Sequence, residues 1–216
     1  MLTIHVADAV FGGSRPVTGR VAVTVDSGLI IARGSYEEMV AARPQARVRR
    51  WPGLLVPGLV NPAAAALLEA AYHPDPREAD TLGTEPLTGD ALVALGLDDA
   101  RWGASARRGL QRMLRHGTTA VAGPFTRPAV RTAVERSGLR VREPRAGRDI
   151  ACPSLDPFAM RPLSAVLDGD LSVGGPADFA VFDVPVDELP AAVLRTHGAT
   201  TCVATVLGGR LVYRGR

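Results

Sequence analysis

Apolar and polar positions alternate with a period of two early in the chain. Val21, Val23 and Val25 are spaced by Ala22 and Thr24, the pattern of a half-buried strand. Asp26-Ser27-Gly28 has turn chemistry and Leu29-Ile30-Ile31 returns, which predicts a hairpin. Ser35 with Glu38 three residues later is a capping box. It predicts a short helix, Tyr36–Ala42, which Pro44 ends. Residues 47–51 and 54–56 read as further extended pieces, so residues 1–56 are a run of short strands.

Asn61 followed by Pro62 predicts a helix start, with an alanine-rich helix over 63–72. Residues 73–100 are rich in Pro, Gly, Asp and Thr and read as irregular, with a helical turn or two over 90–95. A longer helix is predicted over 98–116; Gly109 weakens it and Gly117 ends it. Thr118–Ala122 is a short apolar strand, Pro128–Ser137 a helix stopped by Gly138, and 139–142 extended. Five prolines and glycines between 143 and 162 predict a loop. Phe179–Phe182 has no polar position and reads as a buried strand, followed by a helix over 187–195. Cys202–Leu207 and residues 210–213 flank Gly208-Gly209, a two-residue hairpin signal.

Composition changes this picture little. Hydrophobic residues make up 46% and charged residues 22%, ordinary for a water-soluble globular chain. Aromatics are only 5%, so the core is built from Ala, Val and Leu. No apolar run reaches the roughly 18–20 residues that cross a bilayer, and Met-Leu-Thr-Ile-His-Val has no basic flank. The expectation is a cytoplasmic protein with no membrane partner. All 25 basic residues are arginine and none is lysine, but the net charge is only +3 and the arginines are scattered among acids. No nucleic-acid surface is expected. Cys152 and Cys202 have no metal-type spacing and read as free thiols.

Four segments carry a resemblance. The first is Pro57-Gly58-Leu59-Val60-Asn61-Pro62-Ala63-Ala64-Ala65, and the second Leu114-Arg115-His116-Gly117-Thr118-Thr119-Ala120-Val121. The third is Gly169-Asp170-Leu171 with Gly174-Gly175-Pro176-Ala177-Asp178-Phe179-Ala180-Val181-Phe182-Asp183. The fourth is Val206-Leu207-Gly208-Gly209-Arg210-Leu211-Val212-Tyr213. In this order they resemble the amidohydrolase superfamily of metal-dependent hydrolases, with an imidazolonepropionase-like or deaminase-like flavour. In that family the first segment ends in His-x-His, two ligands of the catalytic metal. Here those positions are Ala63 and Ala65, and a methyl group has no lone pair to give. Without lysine, the carboxylated lysine that bridges two metals in many relatives is also excluded.

The resemblance implies an α/β plus β fold. A small composite β-sandwich, 1–56 and 164–216, is expected from both chain termini. It joins a truncated (β/α) barrel remnant, 57–163, of about three βα units starting near Leu54, Thr118 and Leu139. A complete barrel needs about 200 residues or more, so the family's later strands are expected to be missing. The open strand edges then require repacking, a homodimer, or an accessory partner such as a metabolic enzyme.

Candidate chemistry is sparse. His73 opens His-Pro-Asp-Pro-Arg-Glu, so His73, Asp75 and Glu78 form a weak candidate acid–base or metal site. Asp156 is the one candidate for the family's late catalytic aspartate. Arg108, Arg112 and Arg115 share a helix face and are weak candidates for an anionic ligand. His5 is expected at a surface or strand edge, and His116 and His197 at helix ends. The leading expectation is a degenerate amidohydrolase-like pseudoenzyme with no cofactor, acting as a binding or accessory subunit. The alternative is an atypical hydrolase or deaminase acting on non-peptide carbon–nitrogen bonds of a cyclic amide or amino-purine, for which zinc or iron is expected.

Overall fold

A computed structural model of the chain describes residues 1–12, 16–144, 150 and 152–215. β1 (Thr3–Phe11), β2 (Pro16–Asp26) and β3 (Leu29–Ser35) form an antiparallel meander. α1 (Tyr36–Ala42) follows, its N-terminus capped by Ser35 Oγ, which accepts the Glu38 amide at 3.2 Å. β4 (Arg47–Arg50) and β5 (Leu54–Pro57) both run parallel to β1, one along each half of it.

The chain then leaves this sheet. β6 (Leu59–Asn61) and α2 (Ala64–Glu69) come next. A 3-10 turn (Pro76–Glu78) leads into α3 (Ala79–Leu82) and then α4 (Gly89–Val93). α5 (Asp99–Leu114), β7 (Thr118–Ala122), α6 (Pro128–Ser137) and β8 (Arg140–Arg142) complete the middle of the chain. After a second 3-10 turn (Pro157–Ala159) come α7 (Leu163–Val166), β9 (Phe179–Phe182), α8 (Pro190–His197), β10 (Cys202–Leu207) and β11 (Arg210–Arg214).

Two sheets result. The larger has eight strands in the order β11-β10-β9-β5-β1-β2-β3, with β4 also on β1. The smaller is parallel, in the order β6-β7-β8. Strands from both halves of the chain therefore share one continuous mixed sheet, where two stacked sheets were expected. The reason is the length of β1: nine residues give it a neighbour along each half, so β5 and β9 continue the sheet that β2 and β3 begin.

The ends of the large sheet approach each other through 174–178. Ile30 N–H donates to Gly175 O at 2.9 Å, Ala177 N–H to Gly28 O at 2.8 Å, and Gly209 N–H to Ala177 O at 2.9 Å. The inner face holds Val21, Val23, Val25, Ile30, Leu55, Phe179, Val181, Ala204 and Val206. The outer face packs Ala180 and Phe182 against Leu163, Val166, Val193 and Leu194 of α7 and α8. Alternate residues of β9 thus meet different cores, which is why this strand has no polar position. His5, expected at a surface, is 2% exposed, because β1 is flanked on both sides.

Gly58 marks the passage between sheets. Its N–H donates to Asp178 O at 3.0 Å and its carbonyl accepts from Asp168 N–H at 2.7 Å. The parallel sheet accordingly begins at Leu59, not Leu54, because β5 pairs with β1 and β9. A Cβ at Gly58 would run into the Thr119 side chain, so a bare backbone is needed where the two sheets cross. α2, α5 and α6 cover one face of the parallel sheet around Leu67, Leu68, Leu110, Met113, Val121 and Val134. β8 is followed by no covering helix among the described residues, so two strand–helix units and a third strand stand where three units were expected.

Candidate functional site

In a parallel sheet the loops after the strands form the natural binding face. Here these are the turns after Asn61 and Ala122. Asn61 is fully buried: its Oδ1 accepts from Ala63 N–H at 2.9 Å and its Nδ2 donates to Ser154 O at 3.0 Å. This Asx turn delays α2 to Ala64, one residue later than expected. Ala63 is buried and Ala65 half-buried on the first turn of α2.

An open groove of about 640 Å³ lies between α2 and the start of α6, lined by Ala65, Glu69, Ala70, Thr126 and Arg127 among others. Glu69 occupies the N-terminal end of α6. Its carboxylate accepts from Thr126 N–H at 2.6 Å, Arg127 N–H at 2.7 Å and Thr126 Oγ1 at 3.0 Å. The natural anion position of that helix is filled by the chain itself. Sequence reasoning missed Glu69. The available signal was an acid in the last turn of a helix, where the macrodipole disfavours it, so it serves another element.

The metal that the resemblance implies does not fit these residues. The positions at the strand end are methyl groups, and the Asn61 amide is spent on backbone partners. Among the described residues no three His, Cys, Asp or Glu side chains come close enough to share an ion.

His73, Asp75, Glu78 and Arg108 are brought together, as a clamp on α5. His73 is fully buried; its amide donates to Ser105 Oγ at 2.9 Å and its Nε2 pairs with Leu67 O at 2.9 Å. A carbonyl can only accept, so the proton sits on Nε2 and Nδ1 keeps a bare lone pair, which has no partner. Burial, followed by Arg112 and Arg108, holds the ring's pKa below the ordinary histidine value. A base with no exposed surface cannot take a proton from a solvent-borne substrate.

The carboxylates beside it are also committed. Asp75 caps the 3-10 turn by accepting from Arg77 N–H at 3.0 Å, and pairs with Arg108 at 3.3 Å. Glu78 accepts from Tyr72 Oη at 2.6 Å, Asp75 N–H at 2.9 Å and Arg101 at 3.0 Å. The Tyr72 bond, then the Asp75 amide, holds Glu78 below the usual carboxylate range. Burial, then Glu78, pushes the Tyr72 hydroxyl up. Glu78 stays ionised and Tyr72 stays protonated, an arrangement that stabilises the loop.

The other candidates lie apart. Asp156 caps the second 3-10 turn through Phe158 N–H at 2.8 Å and accepts from Ala199 N–H at 2.8 Å. Arg112 donates to Thr84 O at 2.6 Å, and Arg115 is exposed. Arg108 and Arg112 thus hold the 73–87 segment against α5. Cys202 is buried, which pushes its thiol up to about 11, and Cys152 is exposed. No described helix is long and apolar enough to cross a membrane.

No protein-family model matches this chain, and no curated protein matches it. Among solved structures it is similar to an ochratoxinase from A. niger, at 20% identity and TM-score 0.45, over 66% of this chain and 31% of that one. It is also similar to a guanine deaminase from Bradyrhizobium japonicum, at 17% identity and TM-score 0.45, over 65% of this chain and 34% of that one. A third is an amidohydrolase from an environmental sample of the Sargasso sea, at 22% identity and TM-score 0.43, over 68% and 34% respectively. These structures are amidohydrolase-superfamily members, and the chain spans about a third of the length of each.

Proposed function

We propose that the chain is a degenerate amidohydrolase-like protein, an accessory or binding subunit with no metal-dependent hydrolysis of its own. The supporting observation is the fate of the described donors near the ends of β6 and β7. Positions 63 and 65 carry methyl groups, and the Glu69 and Asp156 carboxylates are both consumed by backbone amides. An isolated carboxylate without a metal does not bring water near neutrality in pKa.

In this reading 1–56 and 164–216 form a composite domain and 57–163 a barrel remnant. β8 pairs only with β7 among the described strands. A second copy or a metabolic enzyme subunit would complete the layer at its open side.

The test is metal analysis of the purified chain after equilibration with zinc or iron and removal of excess ion. The expected result is well below one equivalent retained, with no release of ammonia from cyclic amides or amino-purines. One tightly held equivalent together with turnover would sink the proposal in favour of a carbon–nitrogen hydrolase.

A further inference from the structure

A cavity of about 330 Å³ opens at the end of the large sheet, where β1 and β4 meet the β2–β3 and β10–β11 turns. Its lining includes Thr3, His5, Gly28, Arg49, Gly209 and Arg210. The two turns pack so closely that a Cβ on Gly209 would sit 2.9 Å from Val25 Cγ1 and 3.0 Å from Gly28 Cα. They make a tight wall, with Ser27, Gly28 and Gly209 at positive φ.

The charge around this cavity is one-sided. Arg49 sits beside Arg47 and Arg214, and burial together with both neighbours holds its pKa below the ordinary arginine value. Among the described residues, no carboxylate lies within ion-pair distance of Arg47, Arg49, Arg210 or Arg214. The Asp26 carboxylate is taken up at 3.4 Å by the terminal ammonium of Met1, itself part of the lining. Crowded guanidinium groups repel one another, and a bound anion relieves that repulsion.

His5 adds a neutral donor to the same cavity. It is 2% exposed yet lines the cavity. Its Nδ1 accepts from Trp51 Nε1–H at 3.2 Å, and indole can only donate, so the ring proton sits on Nε2. No described group accepts that Nε2–H. An anion in the cavity that His5 lines provides an acceptor for it.

We propose that this cavity binds a small organic anion bearing a carboxylate or a phosphate, with Arg49 and Arg210 as its cationic contacts and His5 Nε2–H as its neutral donor. The volume lies at the small end of ligand pockets, which suits a compact metabolite. The site belongs to the large sheet and uses no residue of the parallel strand ends, so its test and the metal analysis above fail independently.

Trp51 touches His5 and reports on the site. The variant Trp102→Phe leaves it as the sole tryptophan. Its emission is followed while inorganic phosphate, or acetate, replaces chloride at constant ionic strength. A saturable change with either anion is expected, and the tighter of the two assigns the ligand's head group. Arg49→Gln and Arg210→Gln, each added to this background, should weaken binding at least tenfold, and Arg131→Gln on α6 should leave it unchanged. Arg210 is exposed, so its variant keeps the test readable if Arg49→Gln does not fold. The proposal is overturned if neither anion saturates, if both site variants bind like their parent, or if Arg131→Gln weakens binding equally.

Discussion

His5 and His73 are buried as neutral rings, and this couples the fold to pH. Burial, helped by Arg49, lowers His5 from 6.5 to about 3, and His73 is lowered in the same direction. The unfolded chain therefore binds a proton near pH 6.5 that the folded chain refuses until much lower pH. The stabilising contribution is fully present above pH 6.5 and is lost progressively as pH falls toward 3, at about 1.4 kcal/mol per pH unit for His5. Urea unfolding at pH 6.5 and pH 5 should differ by about 2 kcal/mol from this residue alone. His5→Gln should flatten the slope, and an unchanged slope would refute the assignment. Gly109 provides a second check. A Cβ there would lie 2.7 Å from both His73 Nε2 and Leu68 Cδ2. Alanine ordinarily favours a helix over glycine by about 1 kcal/mol. Overpacking against the buried imidazole reverses that, so Gly109→Ala is expected to destabilise by about 1–2 kcal/mol, measured as the urea midpoint.

Local signals were readable where an element depends on its own residues. α1 and α6 begin and end at the caps and prolines that predicted them. The error at α2 has a tertiary cause: Tyr72 exchanges amide bonds with Leu87 at 2.9 and 2.8 Å, and this bridge competes with further helix. Asp75-Pro76-Arg77-Glu78 offers candidate chemistry by sequence, yet it is also a capping-box sequence, and both reciprocal bonds are formed. The N-terminus of α6 has no side-chain cap of its own and relies on Glu69 of α2. Glu69→Ala should cost about 1–2 kcal/mol. Glu69→Gln, which keeps an acceptor, should cost less. Thermal melts of the two variants settle the order, and equal losses would show that charge alone matters.

The two sheets are held together by a largely buried ion network. Arg140 Nη2 reaches Asp168 at 2.7 Å and Asp178 at 2.8 Å, and Arg142 Nε reaches the other Asp168 oxygen at 2.7 Å. Both carboxylates are at most 5% exposed in their side chains, whereas Arg142 is 42% exposed. Removing the shared partner leaves the buried Asp178 carboxylate without a cation and Asp168 with Arg142 alone, so Arg140→Met should destabilise by about 2–4 kcal/mol and Arg142→Met by less. Chemical denaturation of both variants checks the ranking; a larger loss at Arg142 would mean that Arg140 does not link the sheets. The parts of the resemblance around Asp178 and Gly208 acquire a structural meaning from the same region. Asp178 Oδ1 accepts the Gly208 amide, and the 174–178 segment ties the two hairpin turns together.

The sequence by itself determined what is local: strand alternation, caps, the glycine stops at 117 and 138, and the methyl groups at 63 and 65. Only the tertiary structure decided what depends on partners distant in the chain. It sent β5 to the large sheet and β6 to the small one across a single glycine. It turned His5 inward beside Trp51, and spent Glu69, Asp75, Glu78 and Asp156 on amides, hydroxyls and guanidinium groups. The physical reason is that periodicity and capping act over a few residues. Burial, and the satisfaction of a carboxylate or a ring nitrogen, depend on whatever the folded chain places beside it.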